Sequence, residues 1–162
     1  MQADFYADDI VIPEGGYHLL GAKGASLMPD RISKLTPTHT CLSVGTATTL
    51  AGFLSKSSAN VIAVPAIKGM TDIYSRLEHL QTNYAKDRLS IWNEYHFGGF
   101  AKSSPDLLKF MKTFQETFGI ELDRVYTAKM MWGVLDKIAA GYFPAGSKVV
   151  CIHTGGLQGN SG

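Results

Sequence analysis

The sequence predicts an α/β fold, an open, mostly parallel five-stranded sheet with helices on both faces, and three observations predict it. Short runs rich in β-branched residues alternate with longer segments of helical period, the pattern of successive βαβ units. The chain has 162 residues, 45% of them hydrophobic, which suffices for one core and leaves little room for a second. No internal repeat, low-complexity tract, charge run or Pro/Ser-rich linker divides it, so residues 1–162 read as a single α/β domain.

Asp9 to Ile12 reads as the first strand, stopped by Pro13-Glu14-Gly15-Gly16; a helix follows from Gly21 to Leu35, and Pro37 breaks it. His39 to Val44 is the second strand. The small residues Gly45-Thr46-Ala47-Thr48-Thr49 turn the chain into a short helix ending near Ser55, and Asn60 to Pro65 is the third strand. From Thr71 a helix carries Ile73, Leu77, Leu80 and Tyr84 on one face, with Thr71 as N-cap and Asp72 in the first turn. Leu89 to Glu94 is the fourth strand, ending near Gly98-Gly99. Ser104-Pro105-Asp106 opens a helix whose stripe is Leu107, Met111, Phe114 and Phe118, and Gly119 closes it. A last helix runs from Thr127 to Ala140 with Met131, Leu135 and Ile138 inward, and Lys148 to Ile152 is the fifth strand. Open sheets of this kind bind ligands beyond the carboxyl ends of their strands. Function is therefore sought in the loops after Ile12, Val44, Pro65, Glu94 and Ile152.

Lys and Arg number 15 against 14 Asp and Glu, a net charge of +1. That balance supplies no broad electrostatic footprint for nucleic acid or an anionic membrane, and neither is expected as a partner. Cys41 and Cys151 lie in apolar runs, where a small thiol packs well under reducing conditions. No apolar stretch reaches the length of a membrane span, and Met1-Gln2-Ala3-Asp4-Phe5 has neither a basic n-region nor an h-region, so a cytoplasmic location is expected.

Three segments at strand ends carry candidate chemistry. From Cys41 to Gly52, small side chains let backbone N–H groups converge on an anion, a helix N-terminus adds partial positive charge, and Thr46, Thr48 and Thr49 supply hydroxyls. This suits a phosphate, although neither a Walker loop nor the dinucleotide Gly-x-Gly-x-x-Gly fingerprint is present; an ordinary turn capped by threonine is the other reading. From Cys151 to Gly159, three glycines suggest backbone approaching a ligand, or else a terminal turn. Cys151 and His153 share a strand face, but no partner pair completes a ligand set, so no metal is expected. At Val125-Tyr126-Thr127-Ala128-Lys129 a helix begins. Tyr126 is a candidate acid or base where a cation lowers its pKa, and Thr127 either caps the helix or bonds a ligand nitrogen. A packing tyrosine beside a threonine cap reads the same residues without a ligand.

In this order the segments resemble the pyridoxal-phosphate enzymes of the 1-aminocyclopropane-1-carboxylate deaminase and D-cysteine desulfhydrase family, which have the tryptophan-synthase β-like fold (fold type II). The resemblance begins at Ile12-Pro13-Glu14-Gly15-Gly16 with Leu20-Gly21-Ala22-Lys23-Gly24. It continues through Val44 to Gly52 and Val125 to Lys129 and closes at Ile152-His153-Thr154-Gly155-Gly156. It implies that Gly45, Thr46, Ala47, Thr48 and Thr49 hold the phosphate of pyridoxal phosphate, and that Thr154 and Gly155 lie beside its pyridine ring. It further implies that Tyr126 is the active-site tyrosine near a small amino-acid substrate, and that Thr127 partners the pyridine nitrogen. The deaminases carry glutamate at that second position; a neutral threonine leaves the ring nitrogen less protonated and points to the desulfhydrase-like branch.

Two departures bear on activity. Gly98-Gly99-Phe100 has phenylalanine where the family pattern has a second tyrosine, and a phenyl ring moves no proton. The family's Schiff-base lysine lies in an N-terminal region, in an Asn-Lys-x-Arg-like context, that this chain does not contain. The resemblance is therefore to the C-terminal half of such an enzyme. Because that lysine anchors the cofactor and shuttles the substrate α-proton, the expectation is a fragment or truncated homologue of a lyase or deaminase that is inactive alone. Lys68, after the third strand, is a candidate substitute. A second expectation is a non-catalytic phosphate-binding or partner-binding module from a truncated gene, which the start methionine permits. An open sheet edge and uncovered apolar faces favour self-association, predicting a homodimer.

Overall fold

A computed structural model describes residues 11–160. Its chain order is α1 (Leu19–Ala25), α2 (Met28–Ile32), β1 (His39–Val44), α3 (Thr48–Lys56), β2 (Asn60–Pro65), α4 (Ile73–His79), β3 (Leu89–Ile91), α5 (Pro105–Phe118), α6 (Thr127–Ala139) and β4 (Val149–Cys151). The four strands form one sheet in the order β3-β2-β1-β4, every pair parallel, with His39 level with both Asn60 and Val149. The fold class is the expected one; among the described residues the strands number four rather than five. Asp9 and Ile10 of the expected first strand lie outside the described residues, while Val11 and Ile12 belong to no strand and Ile12 is 80% exposed.

Successive side chains of β1 and β2 enter opposite cores, which is why both strands read as unbroken apolar runs. Leu42, Val44, Val61 and Ala63 meet α1, α3 and α4 on one face. Cys41, Ile62 and Val64 meet Trp92, Tyr95, Met130 and Val134 on the other. Helix α5 lies outside α6, joined to it through Leu107, Phe114, Leu122 and Ala128. Among the described residues no helix is long and apolar enough to cross a membrane.

Several boundaries differ for identifiable reasons. The expected helix from Gly21 to Leu35 is two short helices, because Pro29 in the first turn of α2 has no N–H to continue α1. Asp72, not Thr71, is the N-cap residue of α4, and its carboxylate receives Arg76 Nε at 2.8 Å. The fourth strand stops at Ile91, and Asn93–His96 forms a 3-10 turn. At α5 the start and stop signals hold, with Ser104 Oγ accepting the Leu107 N–H at 3.1 Å and Gly119 closing the helix at φ +68°, while Phe118 of the expected stripe is exposed. In α6, Met131 packs against the core as expected, but the buried stripe is Met130, Gly133 and Val134, while Leu135 and Ile138 are 37% and 50% exposed. The cause is Gly133: a Cβ there would stand 2.7 Å from Tyr95 Cδ2, so the missing side chain admits the Tyr95 ring and rotates the helix toward it.

Gly52 plays the same part between α1 and α3. A Cβ at Gly52 would stand 2.2 Å from Ala22 O and 2.6 Å from Ala25 Cβ. Gly52→Ala is therefore expected to destabilise the chain by about 1–3 kcal/mol, despite alanine's better helix propensity, because backbone has to move. Thermal unfolding checks this, and an unchanged or raised midpoint contradicts the close approach.

Candidate functional site

Strands β1 and β4 are neighbours, yet the chain leaves β1 toward β2 on one side and returns to β4 on the other. Strand order reverses between them, and their carboxyl ends border the crevice in which open α/β sheets bind ligands. Register fixes the walls. Cys41 pairs with Cys151 and Cys41 O receives the Ile152 N–H at 2.9 Å, so the loop 152–156 departs beside the last residues of β1.

The opposite wall is the turn from β1 into α3. Ala47 adopts φ +69°, and no side chain caps α3, leaving the first-turn N–H groups of Thr48, Thr49 and Leu50 without intrahelical partners. Thr46 Oγ1 donates to Gly15 O at 3.3 Å and lies 3.0 Å from Thr48 Oγ1, so both hydroxyls stand together at the helix start. Thr48 is buried. At Gly45 a Cβ would lie 3.1 Å from the Tyr126 hydroxyl, which places that phenol directly on the turn. Gly45, Thr46, Ala47, Thr48, Thr49 and Tyr126 are thus brought together. An uncapped helix N-terminus with adjoining hydroxyls fits a phosphate by charge and by donor count.

Tyr126 does not have the lowered pKa that a neighbouring cation would give. Burial, then the charges of Asp123 and Glu14, push its phenol upward, so it is a proton donor and not a base at neutral pH. Phe100 meets it edge-on at 6.0 Å between ring centroids.

The start of α6 is organised by Asp123, which the sequence reading passed over. Its Oδ1 accepts the N–H groups of Val125 at 3.0 Å and Tyr126 at 2.7 Å. Its Oδ2 accepts Thr127 N at 2.9 Å and Thr127 Oγ1 at 2.7 Å, while Thr127 Oγ1 accepts the Asp123 N–H at 2.9 Å. Thr127 is fully buried and its hydroxyl donates to Asp123. Gly156 lies against the same carboxylate, since a Cβ there would be 3.2 Å from Asp123 Cγ, so the loop after β4 packs beside the start of α6. The signal was available: an acid a few residues ahead of an apolar helical run is a helix-start signature.

Lys129 is the second residue missed. It is fully buried on α6, with Nζ donating to Gly99 O at 2.7 Å and Ala66 O at 3.3 Å, which ties together the loops after β2 and β3. Burial lowers its pKa to about 8, against the opposing attraction of Asp123. A lysine inside an otherwise apolar first turn was the cue.

The remaining candidates are more exposed. Thr154 is exposed, and Gly155, at φ +89°, donates its N–H to His153 Nδ1 at 3.1 Å. Lys68 is exposed beside Gly99, whose Cβ would lie 3.4 Å from Lys68 Cβ.

No family model matches the chain. A D-cysteine desulfhydrase from Klebsiella pneumoniae subsp. pneumoniae is 28% identical over 163 aligned residues, covering 90% of this chain and 50% of that protein. A crystal structure of an ACC deaminase homologue matches with a TM-score of 0.77 at 25% identity, covering 93% of this chain and 50% of that one. The chain thus spans about half the length of the relatives it matches. Fold, motif order and both similarities agree that the chain resembles the C-terminal half of a pyridoxal-phosphate-dependent enzyme of the 1-aminocyclopropane-1-carboxylate deaminase / D-cysteine desulfhydrase family.

Proposed function

We propose that residues 1–162 fold as one α/β domain, the phosphate-holding half of a lyase or deaminase that acts on a small amino acid, and that this half is inactive alone. The observation that carries the reading is the uncapped α3 N-terminus at the point where strand order reverses, with the Tyr126 phenol set against it. Pyridoxal phosphate, when bound, supplies the electron sink that stabilises negative charge on the substrate α-carbon.

The chain's own residues supply binding and orientation. Backbone N–H groups from Gly45 to Thr49 and the hydroxyls of Thr46 and Thr48 hold the phosphate. Thr154 and Gly155 flank the ring from the β4 side. The phenol of Tyr126, kept protonated, donates from Oη to the substrate. For Thr127 to donate to the pyridine nitrogen its bond to Asp123 opens, leaving Asp123 with the N–H groups of Val125 and Tyr126. Neither of the two lysines near the strand ends is presented as an anchor: Lys129 Nζ is held by two carbonyls, and Lys68 is exposed. Cytoplasmic location and the absence of nucleic-acid or membrane partners belong to the same reading.

Incubation with pyridoxal phosphate, borohydride reduction and peptide mapping test it. Scattered, substoichiometric labelling and no lyase activity with D-cysteine are expected. Stoichiometric labelling of Lys68 with turnover contradicts the inactivity. Gly45→Ala is expected to weaken pyridoxal-phosphate binding about tenfold, since the added methyl moves the Tyr126 hydroxyl off the turn; unaltered calorimetric affinity contradicts that placement.

A second reading has a specific observation behind it. Every residue of β4 is only half-buried, and Leu135 and Ile138 on α6 are exposed, so a second chain completes the sheet and its apolar cover. Light scattering separates the two readings: a dimer mass supports self-association, and a monomer mass leaves the module unpaired.

A further inference from the structure

Cys41 and Cys151 are register partners on adjacent parallel strands, so their side chains leave the sheet on the same face. They are the chain's two cysteines. Both pack in the apolar cluster beneath α6, Cys41 fully buried and Cys151 half-buried. Cys151 also lines a cavity of about 140 Å³ with Ile120, Leu122 and His153, which Cys41 does not line, so Cys151 is the more accessible of the two.

We propose that Cys41 and Cys151 form a thiol–disulfide site that takes low-molecular-weight disulfides, with Cys151 the attacking thiol and Cys41 the resolving one. Parallel neighbours lie about 4.8 Å apart, inside the Cα separation of about 4.4–6.8 Å that a disulfide spans. The two side chains are neighbours within one apolar cluster, on the same face of adjacent strands. The interaction with Cys151, then burial, raises the pKa of the Cys41 thiol, while the interaction with Cys41 lowers that of Cys151, so Cys151 is the first to become a thiolate.

The exchange balances in two steps. The Cys151 thiolate attacks one sulfur of the small disulfide, forming a mixed disulfide and releasing one small thiolate, which takes up the proton Cys151 gave up. Cys41 then attacks Cys151 Sγ, forming the Cys41–Cys151 bond and releasing the second small thiolate, which takes the Cys41 proton. Two protein thiols are oxidised and one small disulfide is reduced to two thiols. Directly paired strands hold Cβ atoms farther apart than the usual disulfide value of about 3.8 Å, so the bond is strained and easily reduced again. Its effect is local: it fastens edge strand β4 to β1 at the residue before the loop 152–156 and stiffens one wall of the crevice.

The test treats the reduced, folded chain with oxidised glutathione, then quenches with acid, alkylates and maps peptides. A single intrachain Cys41–Cys151 disulfide, with the mass lower by two hydrogens, is expected. Cys41→Ser should stop at one glutathione on Cys151, and Cys151→Ser should take up none while folded. Circular dichroism checks both variants, and the map of the unmutated chain stands without them. A glutathione adduct persisting on Cys151 of the unmutated chain, an interchain disulfide, or reaction only after unfolding in urea would each overturn the site.

Discussion

Asp123→Ala is expected to be the most damaging single substitution at the site, costing about 3–5 kcal/mol and loosening the start of α6. The carboxylate receives three backbone N–H groups and one hydroxyl, all from Val125, Tyr126 and Thr127, and alanine leaves those donors without partners beside a fully buried threonine. Asp123→Asn should cost less, since one amide oxygen still accepts while the amide nitrogen faces donors. Denaturant unfolding orders the three proteins. Equal stability of Asp123→Ala and the unmutated chain would contradict the cap, and the same loss should accompany displacement of Tyr126, because its N–H is held at 2.7 Å by this acid.

Lys129 carries the second large effect, and pH exposes it. Its folded pKa is about 8 and its ordinary value 10.5, so between those values the unfolded chain binds more protons than the folded one. Stability conferred at this position therefore rises from pH 8 to 10.5, by on the order of 3 kcal/mol, and the penalty for burying the charge is complete below pH 8. The raised pKa values of Tyr95, Tyr126 and Cys41 act in the opposite sense in alkali, so the quantity to measure is the stability difference between the unmutated chain and Lys129→Met at each pH. That difference should move in favour of the unmutated chain across the window. A flat difference contradicts the buried lysine. Lys129→Ala, which empties a fully buried site and strips the partner from Gly99 O and Ala66 O, should cost about 2–4 kcal/mol at neutral pH.

The parts of the fold legible in the sequence were those governed by local rules. β1 and β2 have the expected bounds because covered parallel strands need unbroken apolar runs, and α5 has them because Ser104, Pro105 and Gly119 are local start and stop signals. What escaped was set by partners distant in sequence. The inward face of α6 depends on the Tyr95 ring entering at Gly133, and periodicity alone chose Leu135 and Ile138. The turn from Gly45 to Thr49 was visible as small residues before a helix. Its relation to Tyr126 was not, because the contact at Gly45 joins β1 to the start of α6 across 81 positions. Lys129 was passed over for the same reason, since Gly99 and Ala66 lie 30 and 63 positions away, whereas Asp123 was missed although its partners, Val125 to Thr127, are local.

The central claim is that the uncapped start of α3 is an anion site at the reversal of strand order. Amide chemical shifts of the labelled chain, followed during titration with pyridoxal phosphate, with pyridoxal and with inorganic phosphate, test it most directly. The account predicts saturable shifts at the N–H groups of Thr46 to Leu50 with both phosphate-bearing ligands, and none there with pyridoxal. Shifts confined to other surfaces, or identical responses to pyridoxal and its phosphate, would contradict it.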